Sequence, residues 1–175
     1  MNQIPQKIIF ISGASGAGKT TLVDALAKQK NSAWVCLHFD SIGVPSEAEM
    51  IKMHGSPSEW QKAITFIWVE KILAEYQDKE VVILEGQVNL DFIEEAFKKN
   101  NVAHCAMVLV HCDFKKRHER LHQDRNQPEL INDNMDNWAR YLHNQAIQKN
   151  VPILDTSLMT VDEMVKWMMN YLNKS

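Results

Sequence analysis

Gly13-Ala14-Ser15-Gly16-Ala17-Gly18-Lys19-Thr20 is the stretch whose reading decides the fold. It fits G-x-x-x-x-G-K-[ST], the phosphate-binding loop. Before it runs Lys7-Ile8-Ile9-Phe10-Ile11-Ser12, apolar and β-branched enough to predict a buried strand. After it, Leu22, Ala25 and Leu26 share one face of a predicted helix. Strand, glycine loop and helix stand in the order the motif requires. A triphosphate crowds the backbone, so Gly13, Gly16 and Gly18 leave room and permit positive φ. Successive N–H groups then form an anion nest at a helix N-terminus. The candidate nucleotide-binding segment is Gly13, Ala14, Ser15, Gly16, Ala17, Gly18, Lys19, Thr20 and Thr21. Lys19 brings a point charge to the β- and γ-phosphates, and the Thr20 hydroxyl suits the Mg²⁺ that bridges them.

Working outward, Ala33 to Phe39 reads as a second strand that ends in Asp40. A carboxylate there faces the crevice at the carboxyl ends of an open α/β sheet. It suits a base that takes a hydroxyl proton during phosphoryl transfer, although Asp also caps turns. Lys79 to Gln87 carries a third strand, with Val81 to Leu84 as its apolar core. Glu85 follows directly, in the Walker B position, and is the second candidate Mg²⁺ residue after Thr20. Gly86 lets the backbone approach a ligand, and Gln87 falls at the crevice mouth.

A short helix over Ser46 to Met53 and a long one from about Pro57 to Tyr76 form an acceptor-side helical region, about 41–78. Trp60, Ile64, Ile67, Trp68, Lys71 and Ile72 recur at helical spacing. Most of that stripe is core by default, with Trp60 and Trp68 as candidates for one wall of an acceptor pocket. A connecting helix is expected over Asp91 to Lys99 and a fourth buried strand over His104 to Cys112. His104, Cys105, His111 and Cys112 cannot share one zinc ion, because a strand at ~3.3 Å per residue holds its ends too far apart.

Residues 113–125 are the dense cationic run of the chain. Pro128 should stop that helix, and another should begin after Asn132-Asp133 and reach about Gln148. Its expected core face is Met135, Trp138, Leu142 and Ile147. Arg120, Arg125 and Arg140 flank a loop of the length a mobile lid needs, about 117–140. Arginines closing over a triphosphate would neutralise the transferring group. A nucleic-acid patch fits less well, since the run lacks interleaved aromatics. Val151 to Thr156 reads as a fifth strand and turn. Thr160-Val161-Asp162-Glu163 is a capping box before a last helix.

The chain has 175 residues, a size for one domain over 1–175. Its net charge of -3 sets up no global basic field for nucleic acid or anionic membrane. Cys36, Cys105 and Cys112 read as buried thiols of a reducing, cytoplasmic compartment. No signal peptide is expected, since Met1 to Gln6 is polar and Ile8 to Ile11 is too short an apolar run. No apolar run approaches membrane-spanning length.

Strands alternating with helices behind a phosphate loop predict a three-layer α/β P-loop NTPase fold with a five-stranded parallel sheet. At this point the chain resembles the small P-loop kinases of the adenylate, shikimate and gluconate kinase type. The resemblance rests on GASGAGKT, Asp40, the LEGQ segment at 84–87, the R-x-x-R-L-x-x-x-R run at 117–125 and the LDT turn at 154–156. It implies sheet order 2-3-1-4-5, ATP and Mg²⁺ as cofactors, and a small-molecule acceptor near Asp40. It also implies lid roles for Arg120 and Arg125 and a phosphate contact for Arg140. The shikimate kinase glycine triplet and the adenylate kinase D-G-F-P-R run are both absent, as is the gluconate kinase histidine segment. The expectation is therefore a kinase whose acceptor the sequence does not name. A nucleotide-binding regulatory ATPase is the alternative.

Overall fold

The computed structural model describes residues 7–29 and 32–174. Met1 to Gln6, read above as polar, lie outside the described residues. Five strands form one parallel sheet: β1 (Lys7–Ser12), β2 (Trp34–His38), β3 (Val81–Gly86), β4 (Cys105–His111) and β5 (Ile153–Asp155). The sheet order is β2-β3-β1-β4-β5, as the resemblance implied. Seven α-helices connect or flank them: α1 (Lys19–Ala27), α2 (Glu47–His54), α3 (Pro57–Glu75), α4 (Leu90–Lys99), α5 (Phe114–Glu119), α6 (Asp133–Gln148) and α7 (Val161–Lys174).

Period-two alternation splits the apolar strands between two cores. Ile8 and Phe10 of β1 join Val82 and Leu84 of β3 under α3, α4 and α6. Ile9 and Ile11 turn the other way, with Ile83, Val108 and Val110, under α1 and α7. Both faces are covered, which is why β1 and β3 read as unbroken apolar runs. Register aligns the functional ends: Ser12 pairs with Gly86, and His38 with Glu85.

Helix starts follow local chemistry. Ser46 and Glu49 form a reciprocal capping box at α2. Ser56 accepts from the Glu59 N–H at 3.1 Å, with Pro57 in the first turn of α3. Thr160 and Glu163 cap α7 in the expected way, with Thr160 N donating to Glu163 Oε2 at 2.7 Å.

Three expectations are corrected. Ile147 is 56% exposed rather than core. It lies five residues past Leu142, about 140° round a helix of 3.6 residues per turn, and Gln145 and Ala146 take the buried places instead. On α3, Ile67 turns outward while Trp60, Trp68 and Ile72 are buried. Of the cysteines only Cys112 is buried. Cys36 lies on the edge strand β2 and Cys105 opens β4 at the sheet rim, so both are half-buried. Among the described residues no helix is long and apolar enough to cross a membrane.

Candidate active site

The phosphate loop leaves β1 with three glycines at positive φ. Two of them show why the residue is required. A Cβ on Gly13 would stand 2.3 Å from the Val110 carbonyl oxygen. One on Gly16 would stand 2.9 Å from both Arg117 Cγ and Leu121 Cγ. The loop is thus wedged between β4 and the basic segment.

Lys19, the first residue of α1, is buried and donates to the Ala14 carbonyl at 3.2 Å. Burial pulls its pKa down from 10.5 to about 8, with Glu85 and Asp40 holding it up and Arg125 pressing it down. Thr20 Oγ1 donates to Glu85 Oε1 at 3.2 Å. A hydroxyl beside a carboxylate is a hard-oxygen pair of the type Mg²⁺ prefers, so these residues fit the ion.

Sequence reading missed His38, whose signal is its register opposite Glu85. Its Nδ1 lies 2.8 Å from Glu85 Oε1 and its Nε2 lies 3.4 Å from Asp24 Oδ1. The imidazole fixes the orientation of Glu85 between two acidic groups.

Asp40 lies in a 3₁₀ turn, Phe39–Ile42, directly after β2. Partial burial and the Glu85 carboxylate push its carboxyl above the ordinary carboxylate range, while Lys19 and His38 pull it partly back. Trp60 and Trp68 do not form an open pocket wall. They are 7% and 3% exposed, and they support Asp40 from beneath. Trp68 Nε1 donates to the Phe39 carbonyl at 3.0 Å, and the Trp60 ring meets Phe39 edge-on. Large aromatic area packed against the end of the sheet goes to core before it goes to a ligand.

Ser15 offers both its N–H and its O–H to Gln87 Oε1, at 2.8 and 2.9 Å. Gln61 of α3 donates to the Gln87 carbonyl at 3.0 Å and accepts from the Asn89 N–H. A hydrogen-bonded chain therefore runs from the acceptor-side helix to the phosphate loop.

The basic run divides by task. Arg117 is fully buried, ion-paired to Asp136 of α6, and within 3.4 Å of the Ser15 carbonyl. No local pattern marked it as buried, because its partner lies nineteen residues away. Arg120 opens a π-helical turn, Arg120–Asp124, and its guanidinium meets protein oxygens. It donates to Ala17 O at 3.3 Å, Thr156 Oγ1 at 2.8 Å and Thr156 O at 2.8 Å. Thr156, at the end of β5, also donates to Ala17 O at 2.7 Å. Arg125 is exposed at the mouth of a cleft. Gly18, Thr21, Arg120, Met159, Val161 and Met164 line the same cleft. Arg140 stands apart from it, stacked over the Phe114 ring at 5.6 Å and bonded to Asn137.

The sequence profile of a family described as an AAA domain matches residues 9–143. The chain belongs to the AAA domain family. No curated protein matches it in sequence. Among solved structures, a gluconokinase from Sinorhizobium meliloti 1021 aligns with TM-score 0.71 at 16% identity, over 98% of this chain and 94% of that one. A shikimate kinase from Acinetobacter baumannii in complex with shikimate aligns with TM-score 0.64 at 16% identity, over 99% and 95%. A deoxyadenosine kinase from M. mycoides with bound dATP aligns with TM-score 0.58 at 16% identity, over 95% and 99%. This member of the AAA domain family therefore has the small P-loop kinase fold, and at these identities the likeness carries the fold alone.

Proposed function

We propose that the protein is an ATP-dependent phosphotransferase that moves the γ-phosphate of ATP to a small hydroxylated or phosphorylated metabolite. The observation that carries this reading is the convergence of Lys19, Thr20, Glu85 and Asp40 on the carboxyl ends of β1 to β3. A bare nucleotide switch has no use for a carboxyl of raised pKa across from the phosphate loop. The solved kinases of like fold, gluconokinase and shikimate kinase, add support.

In this reading residues 13–21 hold the triphosphate, and the cleft beside Thr21 and Met164 takes the base. Thr20 and Glu85 are the residues that would hold Mg²⁺, which when bound would supply charge neutralisation for the triphosphate. Asp40 orients the acceptor hydroxyl and accepts its proton. Arg125 closes on the transferring group. Arg120 secures the loop through Ala17 and Thr156, and Arg140 reaches the phosphates only if α6 and the lid move together. One unit over 1–175, with acceptor region 41–78 and lid 117–140, serves that cycle. Free thiols among the described residues support a reducing, cytoplasmic location in this reading, with nucleotide and acceptor as partners and neither nucleic acid nor membrane.

Asp40→Asn tests the proposal, because it keeps the shape and removes the base. ATP Kd and acceptor-independent hydrolysis should stay near wild type. Acceptor phosphorylation should fall by roughly 10²–10⁴. A regulatory ATPase instead shows no acceptor phosphorylation even in wild type, and that result would remove the kinase reading; full acceptor phosphorylation by the variant would remove Asp40 from the mechanism.

A further inference from the structure

Two peptide groups of the phosphate loop have an orientation that the loop's own chain does not decide. Gly16 and Gly18 sit at φ +81° and +103°. Turning over the Ser15–Gly16 or the Ala17–Gly18 peptide would carry the glycine to negative φ, and glycine adopts both signs about equally. Hydrogen bonds from outside the loop therefore make the choice.

Each carbonyl is held by such a bond. The Ser15 carbonyl accepts from Arg117 Nη1 at 3.4 Å. Arg117 is fully buried, and Asp136 of α6 pairs with its other Nη. The Ala17 carbonyl accepts from the Thr156 hydroxyl at 2.7 Å and from Arg120 Nη1 at 3.3 Å. Thr156 is also fully buried, and its N–H is tied to the His111 carbonyl at 2.9 Å, so the sheet places its side chain. The single hydroxyl proton goes to Ala17 at 2.7 Å rather than to the His111 carbonyl at 3.2 Å.

A trans peptide sets its C=O and its N–H on opposite edges. With both carbonyls drawn to buried groups, the Gly16 and Gly18 N–H groups point the other way. Neither has a hydrogen-bond partner among the described residues, although Gly16 is buried. The Ala17 N–H between them turns back to the Ala14 carbonyl at 3.2 Å. Buried amide donors rarely go unpaired, and oriented backbone N–H groups make an anion site. We propose that Arg117 and Thr156 are positioning residues of the phosphate loop: by holding the Ser15 and Ala17 carbonyls they aim the Gly16 and Gly18 N–H groups at the triphosphate of the kinase reading, on which this role rests. Both side chains are fully buried, so they act through the loop and not by touching nucleotide.

Amide proton–nitrogen correlation spectra, recorded with the non-hydrolysable imido analogue of MgATP, read the two N–H groups one at a time. In wild type both glycine amide protons should move downfield as charge-assisted hydrogen bonds form. Thr156→Val keeps the buried shape and removes the hydroxyl. Its Gly18 shift should shrink by about half or more while the Gly16 shift stays, and the analogue Kd should rise about tenfold, the scale of one hydrogen bond to a charged group. Thr156→Ser should restore both. Arg117→Met combined with Asp136→Leu removes the buried pair without leaving one charge unpaired. There the Gly16 shift should shrink while the Gly18 shift stays. Thermal melts establish that each variant is folded, and the two arms are independent, so either one decides. A merely structural role leaves both shifts intact at saturating analogue, or loses both together in each variant, and either result overturns the proposal. A wild type that binds the analogue with no shift at either glycine also overturns it and leaves the kinase reading in place. A wild type that does not bind the analogue removes the phosphate-loop reading itself.

Discussion

Lys19 holds its ammonium in a buried position, and the pKa of about 8 that results couples nucleotide binding to protons. Between about pH 8 and 10.5 the unfolded chain keeps this proton while the free native chain has lost it. Stability from this group therefore rises with pH through that window, because the unfolded state binds more protons there. Nucleotide acts in the opposite sense. Phosphates next to the ammonium favour its charged form, so binding at about pH 8.5 takes up part of a proton. ATP affinity should be flat below pH 8 and should fall above it, approaching about tenfold per pH unit. Calorimetry in two buffers of different ionisation enthalpy reads the uptake directly. The buffer difference should vanish in Lys19→Ala, which should also lose ATP affinity while its apo Tm barely changes. Uptake that persists in the variant assigns the proton elsewhere and removes the phosphate-loop role from Lys19.

At the scale of elements, the segment Arg120–Asp124 carries the most information that sequence did not show. Its π-type turn, with Arg125 N bonded to Arg120 O at 3.1 Å, shifts the spacing of the basic run. Arg120 is then held by Ala17 and Thr156 at the cleft wall while Arg125 stays exposed, although both read alike as lid arginines. Charge and spacing made the run legible as a basic segment ended by Pro128. They did not reveal the turn, nor that Arg117 would be buried against Asp136, because a lone arginine on a basic helix looks solvated until its distant partner is known. The two roles predict opposite mutant behaviour. Arg120→Ala removes the guanidinium bonds to Ala17 O and Thr156 and leaves only the direct Thr156–Ala17 bond; charge-assisted hydrogen bonds are worth about 1.5–3 kcal/mol each, so Tm should drop by several degrees. Arg125→Ala, at an exposed site, should change stability by less than about 0.5 kcal/mol. Its kcat should nonetheless fall by about tenfold or more with little change in ATP KM, as expected of a contact that strengthens at the transition state. Thermal melts and steady-state kinetics on the pair check this, and matching phenotypes would erase the division of labour.

Across the whole molecule, the sheet, its two cores and the phosphate loop were legible because they follow from strand periodicity and one strongly constrained motif. The connection between the acceptor half and the nucleotide half was not, because it depends on side chains that meet across more than seventy residues. Gln87 shows the gap: position alone put it at the crevice mouth, and the fold turns its carboxamide onto Ser15. The chain Gln61–Gln87–Ser15 joins α3 to the loop, so movement of α3 on acceptor binding must be felt by Ser15. Acceptor and nucleotide should then bind with positive coupling, of the usual fivefold or more seen between linked sites, about 1 kcal/mol. Gln87→Ala deletes the bonds to Ser15 while the Gln61 contact to the residue 87 backbone survives, so α3 stays anchored. In this variant each ligand alone should bind within about threefold of wild type, and the coupling should fall to near unity. Gln61→Ala should weaken coupling likewise, and the double variant should lose no more than Gln87→Ala does, because both residues act in one series. The measurement is the Kd of MgADP with and without saturating acceptor, in all four proteins. Full coupling in Gln87→Ala, or none in wild type, would show that the two halves of the crevice work independently and that the bond to Ser15 only braces the loop.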